Sequence, residues 1–136
     1  MFTNCSKIKS INLANFDTEL VTNMNGLFQG CSSLTSIDIS SFTTPNAVDI
    51  SLMFDDCSRL SYLKLNKFSA EKVKNICGLF QGCSSLTSVD LSSFSPNNLV
   101  DMSFMFNKCS KLTNINLPKF NTENVINMKA LFSLCL

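Results

Sequence analysis

The chain has 136 residues, enough for one domain of ordinary size, with 11 basic and 10 acidic residues, a net charge of +1 and no histidine. The charges are sparse and evenly spread, so the composition gives no basis for a nucleic-acid-binding stripe or a polybasic membrane footprint. Lack of histidine excludes Ser–His and Cys–His nucleophile pairs, and no apolar run approaches the ~18 residues that a membrane-spanning helix needs.

Residues 1–10 read MFTNCSKIKS and lack the apolar core of a signal peptide. They open a phrase that recurs along the chain as MFTNCSKI, LFQGCSSL, MFDDCSRL, LFQGCSSL, MFNKCSKL and LFSLCL. The phrases place Cys5, Cys31, Cys57, Cys83, Cys109 and Cys135 at intervals of 26 residues. A fixed period of this length predicts a solenoid, in which each unit buries its apolar face against its neighbours. The units run 1–26, 27–52, 53–78, 79–104 and 105–130, with a partial unit at 131–136, and are expected to form one domain. Met1 falls in register with Met53 and Met105, and neither end carries an atypical polar cap. The chain is therefore expected to be an excerpt of a longer array.

Within each unit the second position is Phe2, Phe28, Phe54, Phe80, Phe106 or Phe132. The eighth is Ile8, Leu34, Leu60, Leu86 or Leu112. Positions eleven and thirteen pair Ile11 with Leu13, Ile37 with Ile39, Leu63 with Leu65, Val89 with Leu91 and Ile115 with Leu117. This period-two pattern inside an LxxLxLxx frame predicts a short strand per unit, stacked in parallel at ~4.8 Å into a face about 20–25 Å long. Phe16, Phe42, Phe68, Phe94 and Phe120 follow. The two columns use eleven of the twelve phenylalanines, with Phe104 alone outside them. Stacked rings of this kind are a packing device that locks each unit to the next.

A second apolar stretch comprises Val21 and Met24, Val48 and Ile50, Val73 and Ile76, Leu99 and Met102, and Val125 and Met128. It reads as an extended segment followed by a tight helical turn, flanked in several units by Gly26, Gly30, Gly78 and Gly82. The architecture expected is a right-handed leucine-rich-repeat-like β-solenoid with one parallel sheet face and short helical turns.

A slower rhythm overlies the first. Units two and four are near copies, LFQGCSSLTSIDISSF and LFQGCSSLTSVDLSSF, which makes a double unit of 52 residues. One column alternates Asn23, Asp49, Asn75, Asp101 and Asn127, which keeps carboxylates off adjacent units, where like charges repel. The outward strand column reads Asn12, Asp38, Lys64, Asp90 and Asn116, with Lys64 balancing two aspartates.

Six cysteines at one position of one repeat have parallel Cα–Cβ vectors, a poor geometry for disulfides. They are expected to be buried, free thiols acting as small hydrophobes. Cys77 stands apart, one place after the column of Met24, Ile50, Ile76, Met102 and Met128. No catalytic, cofactor or metal site is expected. Asp49, Asp55 and Asp56 form the densest acidic group, but their spacing matches no calcium loop. One inward cysteine per unit offers a line where zinc needs a tetrahedron. Asn4-Cys5-Ser6 is a glycosylation sequon with a cysteine expected to be buried.

The chemistry therefore moves to the outward strand face, with Asp38, Tyr62, Lys64, Asn66, Asp90 and Asn116 as candidate binding residues. The middle unit alone carries an aromatic and a cation together, Tyr62 with Lys64, a combination suited to a protein or glycan ligand. Pro118 sits in the corresponding outward place of the fifth unit.

The wording LFQGCSSLTSxDxSSF, with Asn15-Phe16-Asp17-Thr18 and Val21-Thr22-Asn23-Met24 leading into the next MF or LF pair, resembles the BspA-like leucine-rich repeats. It covers nearly the whole chain. The resemblance implies a surface or secreted protein with a noncatalytic adhesion or protein-interaction role. The alternative is a structural protein that self-associates end to end through uncapped repeats.

Overall fold

A computed structural model describes residues 1–66, 68–117 and 121–135. Pro118 and Phe120 lie outside the described residues. Four three-residue strands recur at the same place in successive units: β1 (Ser36–Asp38), β2 (Tyr62–Lys64), β3 (Ser88–Asp90) and β4 (Asn114–Asn116). β1 pairs in parallel with β2, Ile37 opposite Leu63, and β3 pairs in parallel with β4, Val89 opposite Ile115. The strand face is thus two sheets of two strands, where the sequence predicted one continuous face. Ile11 and Leu13 of the first unit join neither sheet.

A second ladder, at the alternating Asn/Asp column, is continuous. Parallel bridges run from Asn23 to Asp49, Asn75, Asp101 and Asn127. The turns that follow tie the units together further. In the first turn the N–H groups of Leu27, Gln29 and Cys31 donate back three residues, to Met24, Gly26 and Phe28, at 3.2, 3.1 and 3.1 Å. The alternate N–H groups of Gly26, Phe28 and Gly30 donate to Ser51, Met53 and Asp55 of the next unit at 2.9, 2.9 and 2.8 Å. These segments are consecutive β-turns, which corrects the predicted helical turn. A helix needs right-handed φ throughout and spends its N–H groups on its own carbonyls. Here every fourth residue, such as Gly26 (φ 59°) and Gly30 (φ 70°), is left-handed, and half the donors leave for the neighbouring unit. No helix occurs among the described residues, so none is long and apolar enough to cross a membrane.

The left-handed positions explain part of the double period. At the fourth position of each unit, φ is positive at Asn4, Gly30, Asp56, Gly82, Lys108 and Leu134. The Asn4 side chain lies over Gly30 and that of Asp56 lies over Gly82. A β-carbon at Gly82 would stand 3.2 Å from the Asp56 Cα and deep inside contact with its Oδ1. Where a side chain folds over the next unit in this way, as Asn4 and Asp56 do, only glycine fits beneath it. The alternation holds through Lys108 and lapses at Leu134, which is left-handed and not glycine.

The core lies between the strand side and the turn side. Phe28, Phe54, Phe80 and Phe106 are buried, and their rings stack in a column from Phe2 to Phe132 with centroids 5.5–5.7 Å apart. Phe42, Phe68 and Phe94 are buried in the second column, while Phe16 is exposed. In the second apolar stretch the buried residue of unit two is Ala47, and Val48, expected in that column, is 38% exposed and lies one residue out of register. The Val48 N–H instead reaches back to the Thr22 carbonyl at 2.8 Å.

Candidate binding face

The turn ladder carries the buried Ser51, Asp55 and Ser103 and the half-buried Asp49 and Asp101. Asp49 and Asp101 each accept on Oδ1 from the backbone N–H two residues on and from the same serine's hydroxyl, Ser51 and Ser103, at 2.6–2.9 Å. Asn75 and Asn127 donate their amides to Oδ2 of those aspartates at 3.5 and 3.0 Å. Alternation thus supplies a donor to each carboxylate as well as avoiding repulsion. Burial works to raise Asp101, but the Ser103 hydroxyl and N–H and the Asn127 amide together hold it below the usual carboxylate range.

Asp55 is nearly buried and accepts from Gln29 and Gln81, one on each neighbouring unit, at 2.9 and 3.0 Å. Asp49, Asp55 and Asp56 each serve a different structural contact, and no group of three His, Cys, Asp or Glu side chains converges among the described residues.

The cysteine column is buried from Cys31 to Cys109, and all seven cysteines are free thiols. Each thiol donates to the carbonyl of the phenylalanine 29 residues earlier: Cys31 to Phe2, Cys57 to Phe28, Cys83 to Phe54 and Cys109 to Phe80, at 3.0–3.2 Å. A hydrophobe of the same size could not make this bond, so the column is polar as well as small. Burial first, with the neighbouring thiol second, pushes Cys57 and Cys109 up to about 12. Cys77 is half-buried, and its thiol can donate to Ser103 Oγ, 3.2 Å away, whose own proton goes to Asp101.

On the strand side, Asp38, Tyr62, Asn66, Asp90 and Asn116 are exposed and Lys64 is partly so. Within each two-stranded sheet the outward residues pair. Lys64 Nζ meets Asp38 Oδ2 at 3.2 Å, and Asn116 donates its amide to Asp90 Oδ1 at 3.0 Å. The expected balance of Lys64 between two aspartates is therefore one-sided. Asp38 is held below the usual carboxylate range by the Ser40 hydroxyl and N–H, with Lys64 adding to them. Asp90 is lowered chiefly by the Ser92 N–H and hydroxyl.

Between the sheets the face opens. No main-chain hydrogen bond joins residues 61–66 to residues 87–92. In the paired junctions, by contrast, the Thr35 carbonyl receives the Ser61 N–H and the Thr87 carbonyl receives the Thr113 N–H, each at 3.0 Å. The seam holds a cleft of about 370 Å³ lined by Tyr62, Leu63, Lys64, Leu65, Asn66, Asp90, Ser92 and Ser93. A smaller one of about 160 Å³ lies between units one and two, lined by Ile11, Asn12, Leu13, Ala14, Asp38, Ser40 and Ser41. At both junctions a serine hydroxyl of the even unit, Ser41 or Ser93, bridges to the Leu13 or Leu65 carbonyl of the odd unit at 3.3 Å. The ladder can lapse here because solvent replaces its hydrogen bonds on an exposed face, at little net cost. The buried turn donors have no such replacement.

The larger cleft brings together four of the six candidate residues, Tyr62, Lys64, Asn66 and Asp90. Asp38 and Asn116 stand one strand outward on either side. Ser92 falls on the outward strand face that the sequence predicts, two places after Asp90, while sequence reasoning missed Ser93. Its signal was the SSF of units two and four against the ANF, NKF and PKF of the odd units.

The family model described as "Mycoplasma protein of unknown function, DUF285" matches residues 1–89 and again residues 53–136. The two matches start 52 residues apart, one double unit. No curated protein and no solved structure matches the chain.

Proposed function

The chain belongs to the DUF285 family, and on that premise we propose that it is a noncatalytic binding module, built as a leucine-rich-repeat solenoid of the BspA-like kind. Its setting is a surface or secreted protein, where the strand face engages a ligand outside the cell. The observation that carries this reading is the gathering of Tyr62, Lys64, Asn66 and Asp90 around one open cleft. Tyr62 is 59% exposed, on a side of the molecule where no packing need accounts for an aromatic ring. The parallel register of like residues from unit to unit supports the solenoid. The family-like wording of the repeats supports the surface setting.

The test is adhesion. Beads coated with the chain should adhere to cultured epithelial monolayers, and beads coated with Tyr62→Ala/Lys64→Ala protein should adhere less by at least about tenfold in affinity, as for loss of an interface anchor. Equal adhesion of the two would overturn the reading.

A further inference from the structure

We infer that the cleft between the third and fourth units is a saccharide site, taking a neutral mono- or disaccharide unit. The inference deepens the binding-module reading and rests on its placing of the ligand on the strand face. At about 370 Å³ the cleft falls in the lower part of the range for small-molecule sites, ~300–1,000 Å³.

Width excludes a peptide strand. A strand inserted between β2 and β3 would need them about 9–10 Å apart, twice the ladder spacing. The Phe68 and Phe94 rings below the seam are 6.3 Å apart, and Ser93 Oγ ties across to the Leu65 carbonyl at 3.3 Å. Groups the size of a hydroxyl can enter; a main chain cannot.

Charge disfavours a ligand that carries net charge. Lys64 lies on one wall, already engaged by Asp38, and Asp90 lies on the other. An anion meets Asp90 and a cation meets Lys64.

What remains is chemistry that matches a sugar. The unpaired ladder edges of Leu63 and Asp90 present both main-chain donors and acceptors, and a sugar hydroxyl serves either. The Ser92 N–H and the Asn116 amide both end on Asp90 Oδ1, and the Ser92 hydroxyl also donates to this carboxylate, which with about four acceptor sites keeps at least one for a ligand hydroxyl. Asn66 adds a planar amide at the rim, and the exposed Tyr62 ring offers an apolar face to sugar C–H groups.

The test is titration of isotope-labelled protein with D-glucose, D-galactose, D-mannose and N-acetyl-D-glucosamine, followed by amide resonances, with inorganic phosphate as the anionic comparison. At least one sugar should shift the amides of Leu63, Leu65, Asp90 and Ser92 saturably. Tyr62→Ala, at an exposed position, should weaken that response about tenfold without loss of fold. No sugar response, a response to phosphate alone, or a response indifferent to Tyr62→Ala would overturn the assignment. The bead assay separates the two readings. Tyr62-dependent adhesion without a sugar response removes the saccharide and leaves the module, while a sugar response without such adhesion removes the adhesion role and leaves the site.

Discussion

Replacing Gly82 by alanine adds one methyl group where φ is +71° and the Asp56 side chain already lies over the backbone. Two costs follow. Left-handed backbone costs an alanine about 1–2 kcal/mol. The methyl must also fit 3.3 Å from Asp56 Cγ and closer still to its Oδ1, an overpacking that costs about 1–3 kcal/mol. The expected loss is about 2–4 kcal/mol after relaxation, a large part of the ~5–15 kcal/mol that holds a domain folded. Asp56→Gly alone should be neutral within about 0.5 kcal/mol, because φ there is 54° and glycine accepts it without strain.

The double variant Asp56→Gly/Gly82→Ala reverses the alternation and removes the side-chain clash. It should recover about 1–2 kcal/mol relative to the sum of the single changes. Urea unfolding followed by circular dichroism reads both quantities, provided the slope with denaturant stays constant. A loss below about 0.5 kcal/mol for Gly82→Ala, or strict additivity in the double variant, would refute the account of the double period.

Phe68→Ala should cost about 3–5 kcal/mol, since Phe68 is 3% exposed and stacked against Phe94; a loss under about 1 kcal/mol in the same assay would mean that the column is not core. Thiol labelling of native protein at neutral pH should reach Cys31, Cys57, Cys83 and Cys109 no faster than the protein unfolds, and rapid labelling of all four would contradict their burial. The same thiols predict alkaline instability. Their folded pKa values are raised, so their contribution is complete below the unfolded value of about 8.5 and is lost as pH rises toward about 12. A urea midpoint unchanged over that interval would refute it. Asp38, Asp90 and Asp101 run the other way. Their folded values are depressed, so stability is complete above the ordinary carboxylate pKa of about 3.9 and is lost as pH falls below it. Asp101→Asn should flatten that acid limb, and an unaltered limb would show that the carboxylate is not the source.

Several columns could be assigned from the chain alone because burial repeats with the sequence. Phe28, Phe54, Phe80 and Phe106 are interior for the reason that they recur, each filling the space that the previous ring leaves. Val48 shows where that reasoning slips. Ala47 and Val48 are adjacent apolar residues, and the residue 26 places after Val21 is Ala47; that one is buried, whatever its size. In the sequence the cysteines look like small hydrophobes, because nothing in the order of residues shows that a phenylalanine carbonyl on the previous unit awaits a donor. The turns read as helical in the sequence because an LF pair followed three residues later by cysteine suits either form. Left-handed φ at Leu52, Asp56, Phe104 and Lys108, none of them glycine, has no local signal.

The sequence by itself determined the period, the parallel stacking of like residues, the apolar columns and the outward set that contains Tyr62, Lys64 and Asp90. Each follows from one residue type meeting its own copy 26 residues on. Only the tertiary structure decided that β2 and β3 stand apart while β1–β2 and β3–β4 close. Every junction offers the same strand pattern, and the choice among them is a difference of a few exposed hydrogen bonds that water can replace. So weak a preference is not written in any one residue. It is set by how the buried turns and rings space the backbone on the far side.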